Sequence, residues 1–159
     1  MIQDFKASKV ELKDLKPNKN CPLVYSEKDL HKYAHAIQHF KFTPPIIVDD
    51  DLNIISGNAK YEAFKLLGIK EVQVASINHL SDADIKAFVI SEGKFAKLAE
   101  WDMDILKADL QYLTELGYDT SVTGFDIADI DLIINDIVIE SSEDDKLRSE
   151  ERFSRNAET

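Results

Sequence analysis

The chain has 159 residues, 44% of them hydrophobic, and a net charge of -11 at neutral pH. That length suits one globular domain with a small helical appendage. No apolar run approaches a membrane span and the N-terminus lacks a signal-peptide core; the single cysteine, Cys21, excludes an internal disulfide framework and a multi-cysteine metal site. The expectation is a cytoplasmic protein with no membrane partner.

The charge is unevenly spread. Residues 1–47 carry eight lysines against five acids, whereas residues 101–139 carry one lysine against nine acids. Affinity for duplex DNA rests largely on neutralising phosphates, so a DNA contact would have to use the mildly basic first half.

Taken in chain order, residues 1–9 show no pattern and read as a loose arm. Alternation over residues 10–15 predicts a short strand, and Pro17 and Pro22 make residues 16–25 a loop. Ser26, followed by Glu27 and Asp29, opens a helix with Leu30, Tyr33, Ala34, Ile37 and Phe40 on its apolar side, ending near His39. His31, His35 and His39 share another face of that helix, where solvated side chains are expected rather than a metal site. Pro44-Pro45 forbids helix and leads into a buried strand, Ile46-Ile47-Val48. Asp49-Asp50-Asp51 lacks the ligand spacing of a calcium loop and predicts a solvated turn, with Asn53-Ile54-Ile55-Ser56 as the returning hairpin strand.

Gly57 then turns the chain into a helix with Ala63, Phe64, Leu66 and Leu67 inward and Gly68 as a left-handed cap. Residues 72–77 alternate as another strand. Ser81 caps a helix bearing Ile85, Phe88 and Val89; Gly93 is expected to interrupt it, with a helical turn or two resuming from Lys94 to Glu100. Asp102 opens a helix with Ile105, Leu106, Leu110, Leu113 and Leu116 inward and Gly117 at its close. Asp126 caps a last helix with Ile127, Ile130, Ile133 and Ile134. Trp101 and Phe125 are expected as core anchors of this helical part. From residue 141 onward the composition predicts a disordered tail or linker. The implied division is residues 10–100, 101–139 and 140–159.

The turn Ser56-Gly57-Asn58-Ala59-Lys60 carries the chemistry. A helix opening from a glycine turn presents unsatisfied main-chain N–H groups, a natural anion site, and Lys60 lies beside it. No hydrolase triad, metalloprotease helix or Walker loop is present.

The order of these pieces resembles the ParB/sulfiredoxin-like superfamily, and most closely the ParB-like N-terminal domain associated with phage and prophage DNA methyltransferases. The resemblance is carried by Leu15-Lys16-Pro17-Asn18, residues 26–42, Pro45-Ile46-Ile47-Val48-Asp49 and Ile54-Ile55-Ser56-Gly57. It continues through Ala63-Phe64-Lys65-Leu66-Leu67-Gly68, Glu71-Val72-Gln73-Val74, Trp101-Asp102 and Thr123-Gly124-Phe125-Asp126. It implies an α+β fold, a small mixed β-sheet with surrounding helices and a C-terminal helical extension. It also implies a phosphate-binding turn, used by members of the superfamily for CTP binding and hydrolysis, ATP-dependent sulfinic-acid rescue or serine phosphorylation.

On that resemblance Ser56, Gly57, Asn58 and Lys60 would cradle a phosphate, Lys94 would assist, and Glu92 would hold Mg²⁺. The cofactor would be a nucleotide (CTP, ATP or ADP) with Mg²⁺; the partners would be DNA, a DNA methyltransferase or partition protein, or a second copy of the chain. The family's turn is usually Gly-x-x-Arg, and its second segment carries Asn and Arg where this chain has Ser91-Glu92-Gly93-Lys94. Lysine keeps the charge but not the bidentate fork that grips phosphate oxygens. The leading expectation is therefore a nucleotide- or DNA-associated binding module of phage or mobile-element type with a degenerate phosphate turn, and no catalytic residue is assigned. The alternatives are an active NTPase or kinase of the same fold and an acidic protein-interaction domain without nucleotide binding.

Overall fold

The computed structural model describes residues 1–136. Among them are four strands, β1 (Lys6–Glu11), β2 (Ile46–Val48), β3 (Ile54–Ser56) and β4 (Glu71–Ser76). Five α-helices accompany them: α1 (Glu27–Phe40), α2 (Asn58–Leu66), α3 (Asp82–Leu98), α4 (Met103–Glu115) and α5 (Ile127–Ile134). The expected disordered tail lies outside the described residues.

The strands form one sheet in the order β1-β4-β2-β3. β1 runs antiparallel to β4, β4 parallel to β2, and β2 antiparallel to β3, so the sheet is mixed and the fold is α+β as expected. The β2–β3 hairpin closes through the aspartate turn. Asp49 Oδ1 accepts from the main-chain N–H groups of Asp51 and Asn53 at 2.9 Å each, and its Oδ2 accepts from Asn53 Nδ2 at 2.8 Å. That local bonding stabilises the turn.

The described residues fall into two compact units, one of Met1–Trp101 with Ser121–Gly124, the other of Asp102–Thr120 with residues 125–136. The core of the first unit lies on the face of the sheet covered by α1 and α2. Ile46 and Val48 are fully buried there, packed with Val74, Ala34, Ile37, Ala63 and Phe64. Alternation explains the strand contribution: in β4, Val72 and Val74 point inward while Glu71 and Gln73 point to solvent. In the second unit α4 and α5 pack together, with Leu110 and Ile130 as their buried residues.

The capping residues work as expected. Ser26 accepts from the Asp29 N–H at 3.1 Å, Ser81 forms a reciprocal capping box with Asp84, and Asp102 accepts from the Ile105 N–H at 3.1 Å. Asp126 occupies the cap position of α5 without a side-chain cap bond.

Several expectations are corrected. The first strand begins at Lys6 rather than residue 10, because main-chain pairing with β4 orders an edge segment that has no apolar pattern of its own. Residues 12–14, read as strand, form a 3₁₀ turn. Gly93 does not interrupt α3, which is continuous from Asp82 to Leu98. Phe40, Leu66, Ile105, Leu116 and Ile127, expected inward, are exposed, because each lies at the edge or beyond the arc its helix buries. Trp101 is no core anchor: it lies in the link between α3 and α4 and is 66% exposed.

Candidate functional site: the turn at Gly57

The turn is built by three converging elements. β3 delivers Ser56 to the end of the sheet, where it pairs with Ile47. Gly57 follows with φ +122°, a conformation that L side chains rarely adopt, and a Cβ there would lie 3.2 Å from both Cγ1 and Cγ2 of Ile46. Only glycine meets both demands. α2 then starts at Asn58 with no side-chain cap, so the main-chain N–H groups of its first turn remain directed out of the helix.

The loop of residues 16–25 is fastened over this turn at three points. Lys16 extends the sheet edge, its N–H donating to Leu52 O at 2.9 Å and its carbonyl accepting from the Ile54 N–H at 2.8 Å. Asn58 holds Asn18 with both ends of its side-chain amide: Oδ1 accepts from the Asn18 N–H at 3.1 Å and Nδ2 donates to the Asn18 carbonyl at 2.8 Å. Finally Leu23 seats on α3 at Gly93, where a Cβ would stand 2.8 Å from Leu23 Cδ2. That contact explains a glycine inside an unbroken helix: the loop needs the space.

These fastenings leave a cleft of about 300 Å³ lined by Cys21, Leu23 and Tyr25 from the loop, Tyr33 from α1, and Ile55 to Lys60 and Val89 around the turn. Its walls are apolar and aromatic, and its polar groups gather at the start of α2. A second cleft of about 590 Å³ lies on the other side of the same loop, lined in part by Lys16, Lys19, Asp49, Asp82 and Lys86.

Lys60 is the cation of the first cleft. Its Nζ donates a long hydrogen bond of 3.5 Å to Pro45 O. Burial holds its pKa below the ordinary 10.5, and the opposing carboxylate of Glu92 offsets part of that shift. A half-buried ammonium with no ion pair among the described residues favours an added anion, because the anion offsets the hydration that burial has removed. Tyr33 on the facing wall is shifted upward by burial, against a hydrogen bond with Thr43.

The structure therefore brings Ser56, Gly57, Asn58 and Lys60 into one cleft and sets Glu92 within electrostatic reach of Lys60. Lys94 lies on the exposed surface of α3 and, like Glu92, does not line the cleft. Two contributors escaped the sequence reading, the Asn58–Asn18 clasp and the Leu23–Gly93 contact. Both join residues far apart in the chain and leave no local signal. The three helix-face histidines are exposed, and no group of three metal-ligating side chains is found among the described residues.

The mixed sheet with its surrounding helices makes this an α+β domain, and relatives define which one. The family model of the ParB N-terminal domain matches residues 2–93, and that of the ParB-methyltransferase HTH domain matches residues 104–156. The chain belongs to the ParB N-terminal domain family. The match includes Ser56, Gly57, Asn58, Lys60 and Glu92; Lys94 lies one residue beyond it. The fold is shared with the C-terminally truncated chromosome-partitioning protein ParB from Caulobacter crescentus complexed with CTP-gamma-S. That structure aligns at TM-score 0.69 and 18% identity over 92% of this chain and 86% of its own. A pNOB8-like ParB N-domain aligns at TM-score 0.50 and 19% identity over 72% of this chain and 44% of its own, so this chain spans less than half of that structure. No curated protein matches the chain. No described helix is long and apolar enough to cross a membrane.

Proposed function

We propose that the first unit is a nucleotide-binding module that holds phosphate at the start of α2. The observation that carries this reading is Gly57: a backbone conformation that L side chains rarely adopt, pressed on Ile46, opens helix N–H groups into a cleft whose lysine is half-buried and, among the described residues, has no ion pair. Its similarity in fold to a ParB bound to CTP-gamma-S supports a nucleoside triphosphate as the ligand. Ser56 would donate its hydroxyl, Asn58 and its successors their main-chain N–H groups, and Lys60 its ammonium. The Asn58 side chain, engaged by Asn18, would hold the loop in place over the ligand.

The residues present fit a divalent cation modestly. Mg²⁺ is commonly held by one or two carboxylates together with phosphate oxygens, and Glu92 is the carboxylate nearest in electrostatic terms to Lys60. Glu92 would hold Mg²⁺ against the phosphates, where the ion supplies charge neutralisation; Lys94, two residues on in the same continuous helix, points about 160° away from Glu92 and is not placed to assist. With lysine in place of the guanidinium fork, the ammonium acts as a point charge, so binding is weaker and less oriented than a bidentate grip would give. The second unit, with its match to a methyltransferase-associated HTH domain, supports association of the whole chain with DNA-modifying machinery of phage or mobile-element type.

Isothermal titration with CTP, ATP and ADP in the presence of Mg²⁺ tests the reading. Heat of binding that is lost in Lys60→Ala, with the circular dichroism spectrum retained, is expected. No heat with any of the three nucleotides would sink it.

A further inference from the structure

Part of one edge of β4 has no strand beside it, and an apolar hollow opens there. Leu12 N–H donates to Lys70 O at 2.7 Å on the β1 side, and Ile77 N–H donates to Val48 O at 2.9 Å on the β2 side. Alternation along β4 therefore turns the main chain of Val72 and Val74 toward β1, and that of Glu71, Gln73 and Ala75 toward β2. β2 begins only at Ile46, opposite Val74. Two residues earlier stands Pro44, which lacks the N–H that would carry the ladder on to the Glu71 carbonyl. The Glu71 C=O and Gln73 N–H thus face the hollow with no main-chain partner among the described residues.

The hollow has a volume of about 500 Å³ and reaches the core. Buried Ile37, Phe64 and Val72 line it, together with Leu67 and the 76% exposed Phe42. The segment that frames it is held in place. Lys41 caps α1 in the left-handed conformation, its N–H donating to Ile37 O at 2.9 Å, and Thr43 is hydrogen-bonded to Tyr33. No residue that lines this hollow also lines the Gly57 cleft.

An acceptor and a donor two residues apart on one strand edge are what a β-strand offers an extended chain. A volume within the range of small-ligand pockets, about 300–1,000 Å³, admits a short peptide stretch rather than the folded sheet edge of a second copy. Charge narrows the choice further. Glu71 is paired with Lys9 at 3.1 Å, whereas Lys41 has no ion pair among the described residues, so the mouth favours an acidic residue. We propose that Glu71, Gln73 and the hollow beside them bind a short extended peptide of a partner protein. An aliphatic side chain of the peptide enters the hollow against Phe64 and Leu67, and an acidic neighbour meets Lys41. Its main-chain N–H donates to the Glu71 carbonyl, and its C=O accepts from the Gln73 N–H.

The test follows the amide signals of the full chain by NMR while a terminally blocked peptide with a central leucine between glutamates is added. Three controls accompany it: the peptide with alanine at its centre, the leucine peptide N-methylated at the amides flanking the anchor, and isovaleramide, which carries the side chain without the strand. In the free chain, the Gln73 amide should show about tenfold less protection from hydrogen exchange than those of Val72 and Val74. The leucine peptide should give saturable shifts at Gln73 and residues 41–43, with affinity about tenfold above each control. Leu67→Trp, which fills the hollow, should abolish binding. Should that variant misfold, Phe42→Ser at its exposed position should weaken binding about threefold. A Gln73 amide as protected as its neighbours, equal binding of any control, no binding, or binding unmoved by the variants would overturn the proposal. So would self-association of the chain that Leu67→Trp abolishes, since a second copy would then be the occupant.

Discussion

The two units of the chain leave different things unfinished. In the first, burial is thorough around the sheet, yet an ammonium is carried halfway into the protein at Lys60 with no ion pair among the described residues. In the second, charge is plentiful and solvated, yet apolar side chains remain in water along α4. A half-buried cation is stabilised by an added anion, whereas exposed apolar side chains are stabilised by further burial. The difference teaches that departures from complete burial take opposite forms in the two units, a charge drawn inward in one and apolar groups left outward in the other.

Variants can break this contrast, and the largest effect is expected at Gly57. Gly57→Ala forces a β-carbon against Ile46 in a backbone region that disfavours it, at a cost of about 2–3 kcal/mol. Urea denaturation should show that loss, and nucleotide binding should vanish under conditions where the variant remains folded. Gly93→Ala is the second variant. Its added methyl would stand 2.8 Å from Leu23 Cδ2, the far end of a side chain that can shift, while alanine gains about 1 kcal/mol of helix propensity. Stability should therefore change by less than about 1 kcal/mol. Leu23→Ala in the same chain should make Gly93→Ala more favourable, giving a non-additive double-mutant cycle. A wholly additive pair would mean that Gly93 serves something other than the loop.

Asn58→Ala removes two hydrogen bonds to the Asn18 main chain, for about 1 kcal/mol, and should speed hydrogen exchange at the Asn18 amide. By contrast, Tyr112→Ser/Leu116→Ser in the second unit should move stability by no more than about 0.5 kcal/mol, because the removed groups are already in water.

The smallest effect is the pH dependence of Lys60. Its folded pKa is below the unfolded value, so between the two the unfolded chain binds more protons and stability rises with pH. The penalty is fully present below the folded pKa and disappears as pH approaches 10.5. Relative to Lys60→Met, the native protein should therefore gain ground in urea midpoint as pH rises through that window. A difference that is flat with pH would show that Lys60 is solvated like any surface lysine.

Much of the architecture was legible because its signals are local. Ser26, Ser81 and Asp102 mark helix starts by the bonds their side chains make within one turn, and Gly68 and Gly117 mark helix ends by their positive φ. Residues 6–9 were not legible as strand, since an edge strand whose side chains mostly face solvent is ordered by its neighbour's main chain. Gly93 misled because a helical glycine costs only about 1 kcal/mol, which a tertiary contact with Leu23 readily offsets. At the site, the strand–turn–helix geometry of Gly57 could be read from a strand running through glycine into a helix. The burial of Lys60 could not, because lysine looks the same in sequence whether its ammonium reaches water or stops short of it. Nor could the role of Asn58, whose partner lies 40 residues away in the chain.

The central claim is that phosphate binds at the start of α2, and the most direct measurement is amide chemical-shift mapping of the full chain with CTP and Mg²⁺. The largest, saturable shifts are expected at Gly57, Asn58, Ala59 and Lys60, with smaller ones along residues 18–23. Shifts confined to other regions, or none at ligand saturation of a folded sample, would contradict it.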